Sequence, residues 1–141
     1  GMKILQFSFG NGDPYHEMDQ NTVLYTGTHD NSTCIGWFDE LLNDKELNSE
    51  KNSINLVDEV IKYIDYKPSD LIHWNMILYA MSSKASYCII PLQDILGLND
   101  NSRMNIPGTV GNNWLWRFKK ETLTEAIKEK LKLITKDVNR I

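Results

Sequence analysis

Three short clusters in this sequence set carboxylates and amides directly after apolar runs. They are Phe9-Gly10-Asn11-Gly12-Asp13, Gly27-Thr28-His29-Asp30-Asn31 and Pro91-Leu92-Gln93-Asp94. The third leads into a loop, Arg103-Met104-Asn105-Ile106-Pro107-Gly108-Thr109-Val110-Gly111-Asn112-Asn113-Trp114. In α/β barrels the catalytic groups sit just past the C-terminal ends of the strands. A carboxylate or imidazole in these clusters is therefore placed to act on a substrate. Each cluster also has a plain structural reading. A His-Asp pair after a strand can be a hydrogen-bonded turn or a helix cap, because Asp and Asn are favoured there. Gly-Asn-Gly-Asp-Pro is a turn sequence, and Asn112-Asn113 can be another. Trp114 and Trp116 read as packing residues, Tyr15-His16-Glu17 as surface loop, and His73 as a helix-surface or core histidine. The residues suggest neither a metal site nor a cofactor.

The elements that must position these clusters follow from periodicity. Met2 to Phe9 reads as a largely buried strand, and Thr22 to Thr28, rich in β-branched and aromatic residues, as a second. A helix with Ile35, Phe38, Leu41 and Leu42 on one face should follow, then a charged connection from Asn43 to Asn52. A second helix is expected over Ser53 to Ile64, with Ile54, Val57, Ile61 and Ile64 as its apolar stripe. Pro68 suits the first turn of a third helix running to about Ser83, apolar nearly all round. Ala85 to Ile90 reads as a third strand ended by Pro91, and Leu92 to Leu98 as a short helix. The last helix opens on a capping-box pattern, Thr122-Leu123-Thr124-Glu125, with Leu123, Ile127, Leu131, Ile134 and Val138 as its stripe.

Composition narrows the class. The chain has 141 residues, 41% hydrophobic and 24% charged, which is globular rather than disordered. A net charge of −4 argues against a surface that tracks nucleic-acid phosphates. No apolar run approaches the roughly 20 residues of a membrane helix. No signal peptide is expected, and Gly1 before Met2 reads as a remnant of expression. Cys34 and Cys88 read as buried thiols of a reducing cytoplasm. Strands alternating with helices suggest parallel βα units. Three strands that all read as buried on both faces are too few for a closed fold, so an α/β piece of a (β/α)8 barrel is expected.

The order and wording of the segments resemble the C-terminal part of the amylomaltases, the 4-alpha-glucanotransferases. The matching stretches are Met2-Lys3-Ile4-Leu5-Gln6-Phe7-Ser8-Phe9-Gly10, Val23 to Asn31, Ile90 to Gly97, and Arg103 to Gly111 running on to Asn113-Trp114-Leu115-Trp116-Arg117. Four motifs in the same order cover nearly the whole chain.

The resemblance implies a retaining (β/α)8-barrel enzyme that cleaves an α-1,4-glucosidic bond and passes the glycosyl group to another glucan. It implies that residues 2–141 form one piece with about three parallel strands, resembling strands 6 to 8. Asp30 then corresponds to the family's third carboxylate, a transition-state stabiliser that binds the sugar of the reacting subsite. His29 and Asn31 flank it, and Asn105, Pro107 and Gly108 fall in a loop lining the same pocket. The chemistry suits those roles. Hydrogen bonds to ring hydroxyls strengthen as an oxocarbenium-like transition state forms. An ionised Asp30 would accept such bonds and His29 would donate one. The family's Asp nucleophile and Glu acid/base lie before the first strand seen here. The expectation is thus a truncated gene product or cloned piece that does not catalyse alone. A glucan-binding or assembly module that has kept the motif is the competing expectation. The implied partners are α-1,4-glucans or maltooligosaccharides, with no nucleic acid and no membrane. A homodimer through exposed barrel edges is also expected.

Overall fold

The computed structural model describes residues 1–10, 15, 18–47 and 51–141, with the backbone alone for residues 46, 47 and 51–55. Three strands form one parallel sheet in chain order: β1 (Met2–Ile4), β2 (Val23–Tyr25) and β3 (Tyr87–Ile89). Lys3 lies level with Leu24, and Leu24 with Cys88. Five helices accompany them among the described residues: α1 (Cys34–Leu47), α2 (Lys51–Tyr63), α3 (Ile72–Met81), α4 (Leu92–Ile95) and α5 (Glu125–Asp137).

The strands are shorter than their sequence runs suggest. After Ile4 the chain tightens into a 3-10 turn, Leu5–Ser8, that buries Leu5 and Gln6. β2 and β3 each keep only three ladder residues. The expectation that the strands are buried on both faces is not met. Side chains alternate across a sheet, so Leu24 and Cys88 turn toward the helices while Tyr25, Tyr87 and Ile89 share the opposite face. Leu24 is fully buried, whereas Met2, Tyr87 and Ile89 are exposed. With β2 central, β1 and β3 are the two edges.

The helices form two apolar clusters. The larger joins Leu5, Phe9, Leu24, Cys34, Phe38, Val60, Met76 and Ala80. In the smaller, Ile127, Leu131, Ile134 and Val138 of the last helix pack on Trp74, Ile77 and Met81. α5 therefore covers α3, and the open face of the sheet is left to the cleft described below. α3 is apolar nearly all round but leaves Leu78 exposed.

Several boundaries differ from expectation, each for a local reason. α1 runs on to Leu47 through the segment read as a charged connection, since Asp, Lys and Glu are tolerated on an exposed helix face. α2 begins at Lys51, and its buried stripe is Val57, Val60 and Ile64; the side chain of Ile54 lies outside the described residues. α3 begins at Ile72, because Asp70 Oδ2 accepts from the Lys67 amide (2.9 Å) and holds Pro68 in a turn. The last helix is capped by Thr124, whose hydroxyl accepts from the Ile127 amide (3.3 Å). Thr122 instead closes a 3-10 turn by donating to the Lys119 carbonyl.

Candidate functional site

The site is built on the chain leaving β2. The chain bends at Thr26, just past β2, and folds into a turn at His29 and Asp30. Asn31 Oδ1 accepts from both the amide (2.9 Å) and the hydroxyl (2.7 Å) of Thr28. An Asn side chain that bonds the backbone this way imitates a turn, and it pushes His29 and Asp30 outward. Both are about half exposed, and His29 Nε2 lies 3.4 Å from Asp30 Oδ1. An exposed pair of this kind contributes little to stability.

Residues 99–105 close over this turn. The Asn105 amide donates to the His29 carbonyl (3.1 Å), and Asn105 Nδ2 donates to Asp30 Oδ1 (2.7 Å). One carboxylate oxygen of Asp30 is thus held by an amide. Trp114 tilts against the His29 ring, with centroids 5.0 Å apart. It does so from a left-handed backbone, φ 64°, where a bulky residue is uncommon. Pro107 and Gly108 are the central residues of a turn closed by Thr109 N–H donating to the Ile106 carbonyl (3.2 Å). Gly108 takes φ 77°, as the third residue of a type II turn requires. Asn113 staples that loop, accepting from the Ile106 amide and donating to Thr109.

A cleft of about 530 Å³ opens over the exposed sheet face. Its floor is Met2, Ile4, Tyr25 and Ile89, and its upper wall is residues 27–31 with Pro91. His29, Asp30 and Asn31 therefore border the cleft, Asn105 reaches it through Asp30, and Pro107 and Gly108 are outside its lining. A smaller cavity of about 130 Å³ lies behind the turn, bordered by Gln93, Asp94 and Arg103 among others. An apolar floor beneath a few convergent polar groups is the usual form of a small-molecule site.

Behind the turn sits Asp94, the carboxylate of the third cluster, to which the family resemblance gave no role. Asp94 is 1% exposed. Its Oδ2 accepts from the Thr26 hydroxyl and its Oδ1 from the Cys34 amide, both at 2.7 Å. It thereby ties the end of β2 to the start of α1 and fixes both ends of the turn that carries His29 and Asp30. Burial raises its carboxyl above the ordinary range, and the bonds from Cys34 and Thr26 oppose that rise. Gln6, from the 3-10 turn that follows β1, donates to the Ser32 carbonyl (2.8 Å). Of the first cluster, Phe9 packs into the core; Asn11, Gly12 and Asp13 lie outside the described residues, as do His16 and Glu17. The Pro91-Leu92-Gln93-Asp94 signal was visible as a strand-end carboxylate, but its partners come from 60 and 68 residues away.

The remaining chemical groups have structural surroundings. Both cysteines are free; burial pushes the Cys34 thiol well up and the Cys88 thiol to about 11, which suppresses thiolate chemistry. His73 is buried against Gly97 and beside Trp74. Among the described residues no group of three or more His, Cys, Asp or Glu is arranged to hold a metal ion, and no helix is long and apolar enough to cross a membrane.

A parallel βα unit that carries an amide-held carboxylate and an imidazole over an apolar cleft defines a segment of an α/β ligand-binding or catalytic domain. Comparisons with known proteins make the class particular. The family model for 4-alpha-glucanotransferase matches residues 1–124, and the chain belongs to that family. It is 40% identical over 140 residues to the 4-alpha-glucanotransferase of Synechocystis, covering 96% of this chain and 26% of that protein. It is 44% identical over 126 residues to the chloroplastic/amyloplastic 4-alpha-glucanotransferase of Arabidopsis thaliana, covering 86% and 20%. The amylomaltase of Streptococcus agalactiae, solved in complex with acarbose, superposes with a TM-score of 0.83 at 36% identity, covering 99% of this chain and 27% of that one. The chain thus spans about a quarter of the length of these relatives.

Proposed function

We propose that this chain supplies the sugar-positioning wall of a 4-alpha-glucanotransferase, with Asp30 as its functional carboxylate. The observation that carries the proposal is the arrangement at Asp30. The carboxylate stands half exposed over the cleft, one oxygen is held by Asn105 at 2.7 Å, and His29 is beside it. A carboxylate oriented before substrate arrives costs no reorganisation when charge develops on the sugar. Its other oxygen can accept from ring hydroxyls, and such bonds strengthen in an oxocarbenium-like transition state.

In this reading the three strands are part of a (β/α)8 barrel, resembling strands 6 to 8, and the exposed sheet face belongs to the barrel interior. Substrates are α-1,4-glucans or maltooligosaccharides. A retaining transfer needs two carboxyl groups about 5–5.5 Å apart; the family resemblance assigns neither to a residue of this chain. Asp30 stabilises, His29 donates to a hydroxyl, and Asn105 orients the carboxylate. Bond cleavage belongs to groups outside these 141 residues.

The test is to graft residues 2–141 in place of the matching quarter of the Streptococcus agalactiae amylomaltase and to follow glucan transfer from maltotriose. Asp30→Ala should lower kcat and kcat/KM together, as loss of a transition-state interaction does. His29→Ala should be milder. A pure rise in KM for Asp30→Ala would refute the assigned role.

A further inference from the structure

Arg103, which bonds the Asp30 carbonyl, is itself held by contacts that begin at the N-terminal end of α1. Asp100 Oδ1 accepts from the Thr33 amide (2.8 Å) and hydroxyl (3.3 Å), which places it at the N-terminal end of α1. A β-carbon built on Gly36 would fall inside the Asp100 carboxylate, so the close seat of Asp100 requires glycine there. Asp100 Oδ2 in turn lies 3.8 Å from Arg103 Nη1, and the Arg103 side chain is 15% exposed. The guanidinium then forks: Nη1 donates to Ser32 Oγ (3.2 Å) and Nη2 to the Asp30 carbonyl (2.9 Å).

We propose that Arg103 is a positioning residue for Asp30, anchored on α1 through Asp100. The proposal rests on the reading of Asp30 given above and adds a residue to it. Arg103 and Asn105 are two residues apart in one segment. The first holds the main-chain carbonyl of Asp30 and the second holds its carboxylate, so the residue is gripped at both ends. Neither grip alone fixes the carboxylate, because the side chain could still rotate about a loose backbone or swing from a fixed one. The rigid guanidinium fork reaches Ser32 and Asp30 at once and keeps its charge against Asp100. A lysine ammonium is a single flexible point charge and cannot reproduce that spacing. Arg103 does not line the sheet-face cleft, so it acts through Asp30.

Two measurements test this. In the 141-residue chain, NMR amide exchange is read at Asn105 and at the core helix residues Ile77 and Ala80, together with the Asn105 side-chain amide resonances. Arg103→Ala should speed exchange at the Asn105 amide by about tenfold, since local opening and not global unfolding governs it. The Asn105 side-chain amide should shift toward its unbonded position, Ile77 and Ala80 should be unchanged, and Arg103→Lys should recover only part of the protection. Unchanged exchange at Asn105, or equal loss at Asn105 and Ala80, overturns the proposal. In the grafted amylomaltase, Arg103→Ala should lower kcat with little change in KM, and added guanidinium should restore part of it. If Asp30→Ala abolishes transfer while Arg103→Ala matches the parent, the positioning role fails and the reading of Asp30 stands. If Asp30→Ala transfers as the parent does, the reading of Asp30 fails, and the positioning role built on it fails too.

Discussion

Replacing Asp94 separates the geometry of its bridge from its charge. In Asp94→Ala two donors lose their acceptor at once, the Thr26 hydroxyl and the Cys34 amide. Each buried donor left unsatisfied costs about 1–3 kcal/mol. The variant no longer buries a carboxylate, which returns part of that loss. A net destabilisation of about 3 kcal/mol follows, a fall in Tm of about 10 °C for a chain of this size. Asp94→Asn behaves differently. Its carbonyl oxygen still accepts from the Cys34 amide, and its NH2 donates to Thr26 Oγ, whose hydroxyl rotates away. The Cys34 contact survives and only the Thr26 hydroxyl proton loses its acceptor, so the cost should be about half that of Asp94→Ala, about 1.5 kcal/mol.

The pH dependence gives an independent reading. Burial raises the Asp94 carboxyl above its ordinary 3.8, so between those values the native state binds more protons than the unfolded state. Stability contributed by this group is therefore present below 3.8 and lost as pH rises through the raised value. Asp94→Asn should remove that decline. The assay is thermal unfolding followed by circular dichroism, with the pH raised stepwise from the ordinary carboxyl range to neutrality. An Ala variant as stable as the parent would refute the bridge. An Asn variant as unstable as Ala would show that charge, not the pair of hydrogen bonds, holds the turn.

Three further outcomes are expected. Burial, and after it the nearby Lys130, lowers His73 from 6.5 to about 4, so the unfolded state binds the extra proton between those values. Stability should fall by up to about 3 kcal/mol as pH drops from 6.5 to 4, and His73→Gln should flatten that slope in the same unfolding assay. The 141-residue chain alone should form no transfer products from maltotriose by chromatography; products that persist after purification and match those of an Asp30→Ala control would indicate contamination, and products lost in that control would refute the prediction. The two sheet edges and the apolar residues Met2, Tyr87 and Ile89 on the open face should drive self-association, so sedimentation should show a species near twice 16.3 kDa, and a single compact monomer would refute it.

What the sequence disclosed and what it hid divide along the range of the interactions. His29 and Asp30 were legible because a β-branched strand run ends beside them, and a strand end is where α/β folds expose polar groups. The stripe Ile127, Leu131, Ile134 and Val138 was legible because helical period is local, and those residues do pack as one face. Strand length was not legible. Leu5, Phe7 and Phe9 suit a strand by composition, but Leu5 and Gln6 are buried in a 3-10 turn instead, a choice set by what lies beneath them. The sheet's two unequal faces were hidden for the same reason, since apolar side chains such as Tyr87 and Ile89 do not reveal whether a face is covered. The bridging roles of Asp94, Asp100 and Arg103 were hidden more deeply. Their partners Thr26, Cys34, Thr33, Ser32 and Asp30 lie 60 to 73 residues away along the chain. No local pattern distinguishes a buried bridging aspartate from a helix-capping one. Trp114 shows the limit most directly: its composition suggested packing, yet it stands half exposed against His29 from a left-handed backbone. A bulky residue held in that conformation is costly and persists where the surrounding structure fixes it. Here the Trp114 amide donates to the Met104 carbonyl (2.5 Å), beside the Asn105 that grips Asp30. The left-handed backbone, the ring against His29 and the amide on Asp30 thus meet at one turn, which supports the proposal that this carboxylate faces a ligand.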